Sequence, residues 1–387
     1  MKKIIFLAIC LSVSVYATNQ AVQPTMHKLF AKFQELAPFM IDEEKFSDPK
    51  NNKFIGDALK EMKSLAAEVK HAEQIKATTL KVSQMALQDH FNDIERVFRT
   101  GNKSFARWEL GSTVSLCISC HTQTPSKSRN WDIADITRGN LNDYQKAELL
   151  FMGRDFDDAL KYYDSVINEY PKNKIPVHQV EKSLERKVVI FARTKRDFDA
   201  AVKSFQTNLK NKKLPGSFDK NINAWIGLFR IQKRNGFPNP KTSTDKDIQK
   251  YVERESKRGL WDDIADAQNT TNPRLVKNLT VSGVLYEYLM TNSNTKIKPD
   301  ILLWLAITER KMQDTLFYSL ADLYLKECMN EFTKHPTAKK CFDEYKDNTI
   351  ISFSGSGGVF LPDDVKKELK ELSLKVYGED RSKVEVE

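Results

Sequence analysis

The chain has 387 residues, 40% hydrophobic and 29% charged, with a formal net charge of +9. That length allows two or three domains. Charges of both signs are interspersed rather than blocked, which argues against a nucleic-acid footprint, and after the first residues no stretch is apolar enough to span a bilayer.

The first element is a leader. Lys2 and Lys3 form a charged start, Ile4 to Tyr16 is an apolar run too short to cross a membrane, and Val15-Tyr16-Ala17 offers a small-residue cleavage site. Residues 1–17 therefore read as a secretory signal, and the expected location is the periplasm. Cys10 sits in mid-run behind Ile9, which does not fit a lipoprotein. Without the two lysines the charge is +7, and four cysteines remain, Cys117, Cys120, Cys328 and Cys341. An exported compartment is oxidising, so each pair needs a destination.

Four amphipathic helices follow. Met26, Leu29, Phe30, Phe33, Leu36 and Phe39 form one apolar stripe; Ile55, Leu59, Met62, Leu65 and Val69 form a second. Leu80, Val82, Met85, Leu87, Ile94, Val97 and Phe98 give a third, closed by Gly101. "NKSFARWELGSTVSLCISCHTQ" supplies the fourth. Helices of this number and length suit an antiparallel bundle over 18–125. Residues 126–140, at the end of the polar "TQTPSKSRN" and beyond, read as a linker.

The last turns of the fourth helix hold Cys117-Ile-Ser-Cys120-His121, the Cys-x-x-Cys-His pattern of covalent haem attachment. Two thiols one helical turn apart can reach two vinyl groups on one porphyrin edge, while the adjacent imidazole meets the iron. A thioredoxin-like pair would sit at a helix start after a strand. A zinc site would need a fourth ligand, and the other cysteines lie more than 200 residues away. One haem c is the expected cofactor, with Cys117 and Cys120 as thioether anchors and His121 as axial ligand.

A bundle with this motif near the end of its fourth helix resembles the cytochrome c-prime class over about residues 20–125. The resemblance implies a distal face toward the first helix, where Met26 is the candidate sixth ligand. A methionine there suits electron transfer; an apolar residue would leave the iron open to small gases. It also implies a possible homodimer. His71 and His90 read as surface or capping residues near helix ends, and His178 and His335 as structural. Trp108, Trp131, Trp225, Trp261 and Trp304 read as core, with Trp108 packing near the porphyrin.

After the linker, "RDFDDALKYY" (154–163) recurs as "RDFDAAVKSF" (196–205), an offset of 42. Ala147, Ala159, Tyr163 and Pro171 fall at positions that resemble a tetratricopeptide repeat; Ala201 and Phe205 keep the pattern, while Val189 replaces the first small residue. Further helical segments complete an expected repeat domain over 141–350, of a kind that usually binds proteins. Cys328 and Cys341 flank the turn Lys334-His335-Pro336 almost symmetrically, so they fall at matching heights on facing helices and form a candidate disulfide. In 351–387, "SGSGG" reads as a loop, since it lacks the Lys-Ser/Thr of a phosphate loop, and Pro362 and Asp363 open a last helix.

The expected whole is an all-α, mono-haem c-type cytochrome for single-electron transfer. Its repeat domain would dock a protein partner, a redox enzyme or an envelope complex. Rival readings are a nitric oxide or carbon monoxide sensor or carrier, and an assembly protein with structural haem. No nucleophile–base set points to an enzyme, and a single haem without an acid–base partner argues against a peroxidase.

Overall fold

Apolar residues three and four apart decide where the helices form and which way they face. The computed structural model describes residues 5–69, 80–123, 141–172, 175–259, 275–312 and 319–382, with backbone alone at 5–21 and 41. It is predominantly helical, with sixteen α-helices among the described residues.

Helix α1 (Ile5–Ile41) buries Leu29, Phe30, Phe33 and Leu36. A short α2 (Glu43–Ser47) is capped by Asp42, whose carboxylate accepts from the Lys45 amide at 3.0 Å. Helix α3 (Asn52–Val69) buries its whole apolar stripe, Ile55, Leu59, Met62, Leu65 and Val69. Each such side chain contributes about 1.5–3 kcal/mol, whereas an exposed pair such as Lys63–Glu95 contributes at most about 1 kcal/mol. The apolar face therefore fixes the packing.

Helix α4 (Leu80–Arg99) corrects two expectations. Met85 is 38% exposed and shares the solvent face with Asp89, Asp93 and Arg96, while His90 and Phe91 lie on the buried face. Gly101 turns the chain at φ +93°, a conformation glycine adopts without strain, and Asn102 caps α5 (Lys103–His121). Helices α1, α3, α4 and α5 each lie against the next, and α5 returns to α1.

The chain forms two units, and the division falls inside α7 (Phe156–Glu169). The first unit takes the described residues up to Thr122, then α6 (Asp143–Met152) and α7 as far as Val166. Helix α6 opens on a capping box between Asn142 and Gln145 and packs on α5. The segment expected as linker, 126–140, lies outside the described residues, as do His71, Trp131 and Trp261.

The second unit contains α8 (Val177–Val189), α9 (Phe198–Asn208), α10 (Gly216–Asn235), α11 (Asp245–Ser256), α12 (Leu275–Thr291), α13 (Lys298–Lys311), α14 (Ala321–Glu331), α15 (Pro336–Ser352) and α16 (Asp363–Tyr377). A π-helical turn, Ile190–Lys195, comes directly after α8. Helix α12 is buried nearly all round and crosses that turn at Gly283. A Cβ there would stand 2.4 Å from the Arg193 carbonyl oxygen, and backbone cannot give way cheaply. Gly283→Ala is expected to lower the unfolding free energy by about 3 kcal/mol in urea titration, the cost of an overpacked contact.

The sequence repeat has a matching geometry. Ala147, Ala159, Tyr163, Ala201 and Phe205 are all fully buried. Arg154 (φ +67°) and Arg196 (φ +49°) both adopt the left-handed conformation at the turn between paired helices. The next residue, Asp155 or Asp197, accepts from a backbone amide three residues on, that of Asp158 (3.3 Å) or Ala200 (3.0 Å).

Three further placements bear on the sequence reading. Cys328 and Cys341 are joined as a disulfide linking α14 to α15, with Cα atoms 6.4 Å apart. The expected loop at "SGSGG" contains a small hairpin, Ser354–Gly355 paired antiparallel with Gly358–Val359, made possible by Gly358 at φ +102°. Trp225 is buried and Trp304 half-buried, but Trp108 is 66% exposed and stacks on Phe105 at 5.5 Å. The core reading of Trp108 is thus corrected, and so is its place beside a porphyrin: nine residues along an α-helix is a half-turn offset, so Trp108 faces away from Cys117. Among the described residues, no helix is long and apolar enough to cross a membrane.

Candidate functional site

The end of α5 carries the chemistry. Cys117 and Cys120 stand one turn apart, half-buried and free of any disulfide, and His121 is the last residue of the helix. Burial pushes the Cys117 thiol up to about 12, with the neighbouring Cys120 adding to the rise. This thiol therefore keeps its proton, unlike a metal-binding or redox thiolate. Among the described residues, no three His, Cys, Asp or Glu side chains group as ligands of one ion.

His121 is oriented by a group that sequence reasoning missed. Its Nδ1 is hydrogen-bonded to the carbonyl oxygen of Met152, at the end of α6. A carbonyl only accepts, so Nδ1 carries the proton and Nε2 the lone pair. Nε2 has no hydrogen-bond partner among the described residues. Burial lowers the imidazole to about 4; the Arg154 charge acts in the same direction, and the Met152 bond opposes it. The ring is thus neutral at pH 7, with one nitrogen pinned and the other open. A backbone carbonyl leaves no mark in a sequence, but Arg154 stands at the head of the first repeat.

These residues fit a covalent haem. The donor set supplies two protonated thiols at one-turn spacing and a neutral imidazole nitrogen with its lone pair available. Met26 stands apart from this set, half-buried on α1 one turn before Leu29. His178 is exposed, and His335 is the N-cap of α15, accepting from the Thr337 amide at 3.3 Å.

His90 is the second correction within the first unit. It is neither exposed nor at a helix end: it lies in mid-α4, 8% exposed, with Nε2 hydrogen-bonded to Thr113 Oγ1 of α5 at 2.9 Å. Burial lowers it to about 4, against the opposing influence of Asp93 and a bond from Glu109. Below its ordinary value of 6.5 the unfolded chain binds this proton before the folded one does. Stability is therefore complete above about pH 6.5 and falls by up to about 3 kcal/mol as pH drops to about 4. Urea titrations across that range should show a flatter pH dependence for His90→Gln.

In the second unit a cavity of about 350 Å³ opens beside Phe198, Gln232, Lys233 and Phe237. Gln232 is 2% exposed, and its Nε2 has no partner among the described residues. Comparison with protein-family models, curated proteins and solved structures finds no match to this chain.

Proposed function

We propose that this protein is an exported mono-haem c-type cytochrome that passes single electrons. The observation that carries the reading is His121, held by the Met152 carbonyl so that Nε2 is free, beside two unbridged thiols one turn apart. When bound, haem c supplies reversible one-electron chemistry at its iron. Each thiol would add across a vinyl group, sulfur to one carbon and hydrogen to the other, and His121 would hold the iron from the proximal side.

The packing of α1, α3, α4 and α5 supports a four-helix haem bundle, with α1 supplying the distal face and Met26 its candidate ligand. The paired helices from α6 onward support a tetratricopeptide-like solenoid that docks a protein partner. The cavity beside Phe198 and Phe237, with aromatic walls and the buried Gln232 amide, is the place we assign to that contact. The leader at 1–17 and the disulfide between Cys328 and Cys341 support a periplasmic location. The role is that of a carrier rather than an enzyme.

The test is a pyridine haemochrome on protein made with haem-maturation machinery, with mass spectrometry of the acid-extracted chain. The expected result is one haem per chain that survives extraction; a chain with no covalent haem overturns the reading. A low-spin ferrous spectrum altered by Met26→Ala supports electron transfer with Met26 as ligand.

A further inference from the structure

The turn that presents Met152 to His121 also presents a cation. Arg154 comes two residues later at φ +67°, half-buried, with its charge acting on both His121 and Cys120. All of these residues belong to the first unit.

Glycine adopts this backbone conformation without strain, so a turn that needed only its shape would be met best by glycine. An arginine held there has a side-chain reason. The second repeat illustrates one. Arg196 has the same left-handed backbone, and its guanidinium folds inward to donate to the Arg193 carbonyl at 3.0 Å and to the Glu287 carboxylate. In the first repeat the same device lays a guanidinium beside the residue that would bind iron.

Resting on the cytochrome reading above, we propose that Arg154 is a positioning residue that raises the reduction potential of the iron held by His121. Gaining one electron lowers the charge at the iron by one unit. A fixed cation on the proximal side therefore favours the reduced state, and more strongly where protein has displaced water. The Met152 carbonyl sets the ring and Arg154 sets the field, so the first helical hairpin serves the redox centre.

The experiment measures midpoint potentials of the haem-loaded full chain by spectroelectrochemistry for wild type, Arg154→Gly, Arg154→Met and Arg154→Lys. Glycine removes the charge and suits the backbone; methionine removes the charge but keeps side-chain bulk; lysine keeps the charge. At the wild-type midpoint, the reduced-to-oxidised ratio should fall about tenfold in the glycine and methionine variants, which is about 59 mV for a one-electron couple. The lysine variant should stay within about threefold of wild type. Covalent haem in all four proteins with unchanged potentials overturns the inference alone. So does a lysine variant that falls as far as methionine. A wild-type chain without covalent haem overturns the inference together with the reading beneath it.

Discussion

Replacing Glu309 with glutamine should lower the unfolding free energy of the second unit by about 3–5 kcal/mol, the cost of leaving a buried charge uncompensated. Arg193 is 1% exposed and Glu309 6% exposed. The Arg193 guanidinium meets Glu309 Oε1 at 3.1 Å and lies 4.7 Å from the Tyr286 ring centre. The same carboxylate accepts from the Tyr286 hydroxyl and from the Leu320 amide. Tyr286 in turn bonds Tyr324 at 3.0 Å, and Gln123 donates to the Tyr324 hydroxyl at 3.2 Å. Burial, reinforced by the Glu309 charge, raises the Tyr286 hydroxyl well above its ordinary range, so it stays a donor.

Glutamine keeps the volume and still accepts from Tyr286 and Leu320, so the loss isolates charge compensation. Arg193→Met in the same chain should restore most of the stability, because it removes the orphaned cation. Urea titration followed by far-UV circular dichroism reads both. A Glu309→Gln chain within about 1 kcal/mol of wild type would show that the pair does not hold the core.

The second large effect concerns the haem anchors. In Cys117→Ser/Cys120→Ser, covalently retained haem should fall to background after acid extraction, while the helical circular dichroism signal persists. Serine is close in size and neither thiol makes a disulfide, so the helix loses no structural bond. Either single variant should keep one thioether and a haemochrome band shifted from wild type. Equal haem retention in the double variant and the wild type would sink the covalent assignment.

The helices were legible because their apolar stripes are one-sided. The α3 stripe Ile55, Leu59, Met62, Leu65 and Val69 is buried in full. Errors came where rotational phase decided the outcome. Met85 lies a fraction of a turn off the buried face of α4, and His90 lies on it; residue type alone misassigned both. Trp108 is the same error on α5, an aromatic residue placed inside by its chemistry and outside by its angle. The anchor motif was legible because three residue types at fixed spacing carry it. Its orientation was not, because Met152 acts through a backbone carbonyl. Arg154 was visible as part of a repeat, but its left-handed backbone and its nearness to His121 exist only in three dimensions.

The π-helical turn Ile190–Lys195 has a consequence for how this chain can change length. A π turn holds one residue more than an α turn, so the helix leaves it out of phase with the one that entered. Arg193 is inside that turn, and its inward direction depends on the extra residue. Deleting any single residue between Ile190 and Lys195 would let an ordinary helix close, rotate the rest of the hairpin by roughly 100° and swing the guanidinium off Glu309. Insertions and deletions are usually confined to loops; here the helix carries one as a fixed part of its core, and the buried charge has become the reason it cannot be lost.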